Sequence, residues 1–417
     1  MGFFSDTELA VASPSGCGSR CSLHQSCITP RMGLTGTGEK GILVVAEAPG
    51  EDEDVRGEQS VGKAGQRLRK ELAFHGIDLE RDCWKINAVN CRPPEGRAPT
   101  PEEIEACRPN VIRAIVEHNP KLILLLGASA LSSVVGHSNP KMAHGSSRGF
   151  PLLRGKTFPD RAFPDSWLSC TFHPPYIEKM DFDPVVAVTW RNDIRRALEM
   201  SEEPTPKKDD TCLTVLPNTG AIIKLLETIL ERKQLIAFDY ETTGLKPHAS
   251  GHSVVSVGIS PSVRRSYAFK FGHGGGWDSV RSLWRDVLAD RTVPKVAHNI
   301  GFEWEWSKVC FDVTTRGWAG CTQVLSHLED SRAGHGSLKV QAYLKFGVPD
   351  YTSDIEKYKC SSNLDEAQFG ANAKNRMGTA PEFEMLKYNA LDALYTMWLW
   401  DWYEKRSNHA SGITIYG

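Results

Sequence analysis

Leu235-Ile236-Ala237-Phe238-Asp239-Tyr240-Glu241-Thr242-Thr243-Gly244-Leu245 decides the architecture of the second half of this 417-residue chain. Read as a strand, it alternates so that Asp239 and Glu241 project from one face. Two carboxylates on one strand edge form a hard-oxygen site suited to Mg2+ or Mn2+. Downstream come Ala297-His298-Asn299-Ile300-Gly301-Phe302-Glu303 and then Tyr388-Asn389-Ala390-Leu391-Asp392. Tyr388 and Asp392 are four residues apart within 381–405, a stretch that reads as a helix, so both face the same way.

Around this strand the pattern predicts a helix over 220–233 and strands over 235–240, 254–260, 265–271 and 295–298. Further helices are expected over 303–309, 336–346 and 381–405. Trp304, Trp306, Trp318, Trp398, Trp400 and Trp402 read as core side chains. Upstream, residues 201–210 (SEEPTPKKDD) are polar and proline-bearing with no apolar anchor, as a linker is. Before that, Gly41–Ala46, Trp84–Val89, Lys121–Leu126 and Trp167–Phe172 are apolar runs of strand length separated by helical patterns. Helices are expected over 65–75 and from the capping box Thr100-Pro101-Glu102-Glu103 to about His118. This βαβ rhythm implies a parallel sheet covered by helices, so the fold class is α/β in both halves. The expected division is 1–200 for the first domain, 201–232 for linker and lead-in helix, and 233–417 for the second domain.

Forty per cent hydrophobic and 24% charged residues describe a globular chain and exclude disordered or fibrous classes. The longest apolar run, Leu122 to Leu126, cannot span a bilayer, so no membrane partner is expected. The opening Met1-Gly2-Phe3-Phe4-Ser5-Asp6 has no basic n-region followed by an apolar stretch, and the cytoplasm is the expected compartment. With 49 Lys+Arg against 51 Asp+Glu, no global positive field steers a nucleic acid, which local patches must therefore grip. Eleven cysteines, with Cys17, Cys21, Cys27, Cys83, Cys91 and Cys107 in the first quarter, point in a reducing compartment to a metal.

In the first half, strand ends present Glu47 (in Glu47-Ala48-Pro49-Gly50-Glu51-Asp52-Glu53-Asp54), Asn87 and His173 (in Phe172-His173-Pro174-Pro175-Tyr176). Loops at the carboxyl ends of parallel strands form the ligand crevice, which places these three for chemistry.

Taken with their order and spacing, EAPGEDED, VGKAGQ, INAVNCRPPEGRAP, the Cys107 helix, LLLGASAL and FHPPY resemble the family 4 uracil-DNA glycosylases over residues 15–200. The resemblance implies cleavage of the N-glycosidic bond of a uracil flipped out of DNA. It implies that Glu47 positions the attacking water or stabilises the sugar cation, that Asn87 hydrogen-bonds the uracil edge, and that His173 steadies charge on the leaving base. Ala48, Gly50 and Ser60 would join Asn87 at the base. It further implies a 4Fe-4S cluster, with Cys91 and Cys107 as two ligands and the others from Cys17, Cys21 and Cys27, four of these five in all. Zinc is the other metal such thiols could hold. The family pattern has a Pro-Phe pair before its Val-Gly, whereas this chain has Gln59-Ser60-Val61-Gly62, and serine supplies no stacking ring.

Residues 233–405 resemble the proofreading domain of family A DNA polymerases, the tyrosine-bearing form of the DEDD exonucleases. FDYETTGL and SLKVQAYLKFGV (residues 337–348) carry much of the likeness. Its ribonuclease H-like fold would hold two Mg2+ or Mn2+ ions on Asp239, Glu241, Glu303 and Asp392, with Tyr388 orienting the water. Glu303 stands where the family has Asp, and Cys321-Thr322 where Asp-Thr is usual. Together the resemblances imply a replication and repair protein that excises uracil and trims single-stranded 3' ends. Such fusions resemble bacteriophage replication proteins, which implies a family A-like polymerase on a separate chain and, for a virus, the host cytoplasm. Two alternatives stand: a first half that binds DNA or senses uracil without excising it, and an RNA-trimming exonuclease of the ribonuclease D type.

Overall fold

The structure, a computed structural model, describes residues 21–143, 149–180, 183–206, 211–272 and 274–410. It divides into two compact units: residues up to 207 with Tyr343–Pro349, and residues from 208 to Ala342 with Asp350 onward.

The first unit is built on a five-stranded sheet in the order β2-β1-β3-β5-β4. Its strands are β1 (Ile42–Ala46), β2 (Cys83–Asn87), β3 (Leu122–Leu126), β4 (Thr157–Asp160) and β5 (Phe163–Thr171). β1, β2, β3 and β5 run parallel, and every residue of β3 is buried, as befits a strand covered on both faces. β4 is an antiparallel edge strand that the sequence pattern did not announce. It carries Pro159, which an edge tolerates because one row of its donors is unpaired. The helices of the unit include α1 (Glu51–Arg56), α2 (Lys63–Phe74), α3 (Pro101–His118), α4 (Ala128–Ser138), α5 (Pro174–Lys179) and α6 (Pro184–Met200). Leu68 and Leu72 of α2 and Trp190, Ile194 and Ala197 of α6 pack on Ile42, Val44, Leu122 and Leu124. α3 opens on the capping box: the Glu103 amide donates to Thr100 Oγ1, and Glu103 accepts from the Thr100 amide at 2.8 Å.

The second unit has a six-stranded sheet in the order β11-β10-β7-β8-β9-β6. The strands are β6 (Cys212–Val215), β7 (Ile236–Thr242), β8 (Val254–Ser262), β9 (Arg265–Lys270), β10 (Lys295–Ala297) and β11 (Trp318–Cys321). β7, β8 and β9 pair antiparallel, while β10 pairs parallel to β7 and β11, and β6 parallel to β9. The stretch 201–232 is more than a tether. Its β6 extends the sheet, and Ile222, Leu226 and Ile229 of α7 (Thr219–Arg232) join the core with Phe238, Tyr240 and Trp284. Residues 207–210 of the expected linker lie outside the described residues.

The remaining helices used below are α8 (Trp277–Ala289), α9 (Ile300–Phe311), α10 (Thr322–Glu329), α11 (Leu338–Phe346), α12 (Ser353–Lys359) and α13 (Glu382–Ala410). Trp306, Trp398 and Trp400 are buried, and Trp318 stacks on Phe238 with centroids 5.6 Å apart. Trp304 departs from the core expectation at 41% exposed. Phe302 and Trp306, one turn apart, take the inward face of α9, and a residue two positions from each points the other way.

α13 lies against β8 so closely that a Cβ on Gly258 would sit 2.3 Å from the Asn389 carbonyl oxygen. Because that neighbour is helix backbone, Gly258→Ala must displace the segment bearing Tyr388, Asn389 and Asp392. Overpacking of this kind costs about 1–3 kcal/mol, so a melting temperature lowered by several degrees together with lost nuclease activity is expected. A calorimetric scan beside a 3'-end degradation assay checks both.

Candidate active sites

β7 turns Phe238 and Tyr240 into the core, where Tyr240 accepts from Trp284 Nε1 at 3.0 Å, and so presents Asp239 and Glu241 on its other face. α13 brings Asp392 to them. One oxygen from each of Asp239, Glu241 and Asp392 lies within 4.8 Å of the other two. Glu303 stands outside this triad in the first turn of α9, 2% exposed, with its Oε2 unpartnered. Asn299, at the N-cap just before α9, holds the left-handed conformation at φ 91°. The preceding His298 is fixed through both ring nitrogens, to Thr322 Oγ1 at 2.8 Å and the Gly336 carbonyl at 2.8 Å.

The electrostatics report crowded negative charge. Burial, then repulsion from Asp392 and Glu241, pushes Asp239 well above the ordinary carboxylate range. Burial raises Glu241 to about 7, and burial with the nearby Asp239 charge raises Glu303. Asp392 goes the other way: burial would raise it, but the Lys339 and Lys359 ammoniums outweigh that and hold it low. The two lysines leave Asp239, Glu241 and Glu303 with uncompensated negative charge, which fits divalent cations.

Four residues to which the sequence reading gave no role complete the arrangement. Lys339 donates to Asp392 Oδ2 at 2.7 Å, and the Tyr351 hydroxyl donates to Oδ1 at 2.6 Å. Lys359 donates to the Tyr388 hydroxyl and lies 4.0 Å from the centroid of its ring. Asn389 donates to Asp239 Oδ2 at 2.8 Å and accepts from Ser256 at 2.9 Å, so its amide fixes the first carboxylate. Lys339 lies inside the quoted 337–348 stretch, and Asn389 sits between Tyr388 and Asp392. Their contacts join residues 53 or more positions apart, which local pattern does not reveal.

In the first unit, the loops after β1, β3 and β5 meet. Glu47 follows β1 and accepts from Ser129 Oγ at 2.9 Å, in the first turn of α4. His173 follows β5. Burial lowers its proton affinity, the Glu47 carboxylate opposing, so the imidazole is neutral at neutral pH. Gly127 has φ 93°, and a Cβ there would touch His173 Cβ at 3.0 Å. Asn87 ends β2 in register with Ala46 and is 4% exposed. Ala48 and Gly50 lie on the Glu47 loop, Gly50 as the cap of α1. The buried Glu53 ties this loop to the next, accepting from the Gly50 amide at 3.1 Å and the Gly62 amide at 2.7 Å. Ser60 is half-buried and left-handed at φ 61°.

Cys21, Cys27, Cys91 and Cys107 share one apolar patch with Leu23, Val89 and Ile104. Cys17 lies outside the described residues. Cys91 Sγ accepts from the Arg31 amide at 3.2 Å and Cys107 Sγ from the Asn90 amide at 3.2 Å. Burial, with Cys27 and Cys107 close by, pushes the Cys91 thiol up to about 12. Thiols gathered with amide donors aimed at their sulfurs suit a thiolate-bound metal centre.

Residues 33–194 match the model of the uracil DNA glycosylase superfamily, and residues 219–406 match that of the 3'-5' exonuclease. The chain is therefore a glycosylase-superfamily domain fused to a 3'-5' exonuclease domain. The Type-4 uracil-DNA glycosylase of Thermotoga maritima is 39% identical over 159 residues, 38% of this chain and 76% of that protein. The enzyme of the same name from Pyrobaculum aerophilum is 35% identical over 161 residues, 37% of this chain and 76% of that protein. Through its first unit the chain belongs to the Type-4 uracil-DNA glycosylase family. A DNA polymerase of Bacillus phage SP01 is 24% identical over 324 residues, 67% of this chain but 32% of that protein.

Proposed function

We propose that the two units serve DNA replication and repair: the first excises uracil, and the second removes nucleotides from single-stranded 3' ends as a proofreader. The observation that supports the nuclease most strongly is the triad Asp239, Glu241 and Asp392, crowded within 4.8 Å, with Asp239 pushed up by burial and by repulsion from the other two. Two Mg2+ or Mn2+ ions on these residues and Glu303 would supply Lewis acidity at the scissile phosphate. The chain's own groups do the rest. Lys359 positions the Tyr388 hydroxyl by donating to its oxygen, while burial and the neighbouring Asp392 and Glu241 carboxylates keep the phenol protonated, so that it can orient the attacking water. Asn389 fixes Asp239, and Lys339 compensates Asp392.

In the glycosylase unit, Glu47, oriented by Ser129, positions the attacking water or stabilises the sugar cation that forms as the base leaves. Neutral His173 donates to the oxygen of the leaving uracil. Asn87 reads the base edge, with Ala48, Gly50 and Ser60 around it. A 4Fe-4S cluster on four of Cys17, Cys21, Cys27, Cys91 and Cys107 would staple the N-terminal segment to α3. The partners of this reading are uracil-containing DNA and a separate family A-like polymerase in the cytoplasm, of the host if the chain is viral. Among the described residues no helix is long and apolar enough to cross a membrane.

Ser60 in place of a ring favours a second reading, in which the first unit binds DNA or senses uracil without cutting. A duplex with one uracil and phosphorothioate-blocked 3' ends separates them. After incubation and alkali, a break at the uracil is expected, and its absence in a chain that shows iron–sulfur absorbance would leave the binding reading.

A further inference from the structure

We propose that Gln59 is a specificity-determining positioning residue: it locks the Asn87 amide in one of its two orientations and thereby sets which base edge the first unit accepts. The inference rests on the uracil-excision reading and goes beyond it, naming a residue where the family pattern has proline.

The two ends of a side-chain amide have nearly the same shape, so its orientation follows from its partners. Here the partners form a directed series. The Gly33 carbonyl can only accept, and Gln59 Nε2 donates to it at 3.1 Å. Gln59 Oε1 must then face the opposite way, where it accepts from Asn87 Nδ2. Asn87 is left with one N–H committed to Gln59, a second N–H free for a ligand, and Oδ1 turned away from Gln59. Gln59 is 1% exposed and Asn87 4%, so bulk water offers neither amide an alternative partner.

The backbone beneath this series is also held. Lys85, 1% exposed and paired with Glu80, donates to the Gln59 carbonyl at 3.5 Å. The Ser60 carbonyl lies so close to α2 that a Cβ on Gly65 would meet it at 2.0 Å. Gln59 is therefore pinned through both its main chain and its side chain.

Uracil presents an N3–H donor beside the O4 acceptor, whereas cytosine presents an N3 acceptor beside the N4 amino donor. One amide orientation, oxygen to N3–H and N–H to O4, matches uracil, and the flipped amide matches cytosine. Two-point contacts of this type discriminate between bases by about tenfold or more. Because Ser60 supplies no ring, the amide edge carries a larger share of the choice here.

The test is equilibrium binding of phosphorothioate-ended oligonucleotides carrying 2'-fluoro-2'-deoxyuridine or 2'-fluoro-2'-deoxycytidine, which resist glycosidic cleavage. The wild-type chain is expected to prefer the uridine oligonucleotide. In Gln59→Met, which removes the polar partner, and in Gln59→Pro, which carries the family's residue, the preference should fall by about tenfold, with uridine affinity changing less. A residue that merely supports the fold would lower both affinities together. Wild-type preference retained by either variant overturns the inference and leaves uracil excision intact. A wild-type chain with no uridine preference and no abasic product overturns both readings at once.

Discussion

Asp239→Asn is expected to slow 3'-end hydrolysis in Mg2+ by about a thousandfold or more, close to 4 kcal/mol, while leaving the melting temperature in chelator at or above the wild-type value. The carboxylate is buried and repelled by Asp392 and Glu241, so keeping it charged opposes folding when no cation compensates it. An asparagine keeps the oxygen that Asn389 reaches at 2.8 Å and removes the repulsion. What is lost is a cation ligand, and with it the Lewis acidity on which the reaction depends. Acid groups held together against their mutual repulsion are characteristic of function maintained at the expense of stability. Degradation of an end-labelled single strand measures the rate, and a melt in chelator measures the repulsion. Activity within tenfold of wild type would show that the nuclease site lies elsewhere. A melting temperature several degrees lower would show that Asp239 serves the fold instead.

Much of this arrangement is legible in local pattern, and the remainder is not, for physical reasons. Period-two alternation placed Asp239 and Glu241 together, and period 3.6 placed Tyr388 beside Asp392. Apolar runs marked the central strands because those are covered on both faces. Of the edge strands β2 was marked, but the other three escaped: β4 carries a proline, and β6 and β11 have only four residues each, only part-buried. Trp304 was misjudged because composition does not say which side of a helix faces out. Lys339 and Gln59 escaped for a different reason. Their partners lie 53 and 28 positions away, so only the fold makes a lysine in α11 the counter-ion of Asp392, or a glutamine the partner of Asn87. The Gln59-Ser60 departure was visible as a lost ring. What it put in place, an amide series anchored on Gly33, needed the structure. Ser60 is also left-handed, a conformation that a bulky aromatic adopts only with strain, so returning a phenylalanine to this position would not by itself restore a stacking platform.

His173→Ala is expected to lower uracil excision by about 10²- to 10³-fold, the loss typical when one donor to a developing oxyanion is removed. The geometry supports a donor that is neutral. Burial lowers the proton affinity of His173 below the ordinary value of 6.5, and Glu47 only partly offsets this. The wild-type rate should therefore stay flat as pH falls from about 8 to 6.5 and decline only in more acidic solution, where protonation sets in. A histidine acting as a charged acid would give the opposite profile, rising as pH fell through 6.5. Single-turnover excision from a uracil duplex, measured across this range, decides between them. His173→Gln, which keeps a neutral N–H on a shorter reach, should recover part of the lost rate. Position matters as much as protonation. His173 follows β5 after Phe172 and stands at the N-cap of α5, and a Cβ on Gly127, whose φ is 93°, would press on His173 Cβ at 3.0 Å. If His173→Ala excised uracil at the wild-type rate, the transition-state charge would have to be met by another group, and the convergence of Glu47, Asn87 and His173 would describe a pocket that grips the base without cutting.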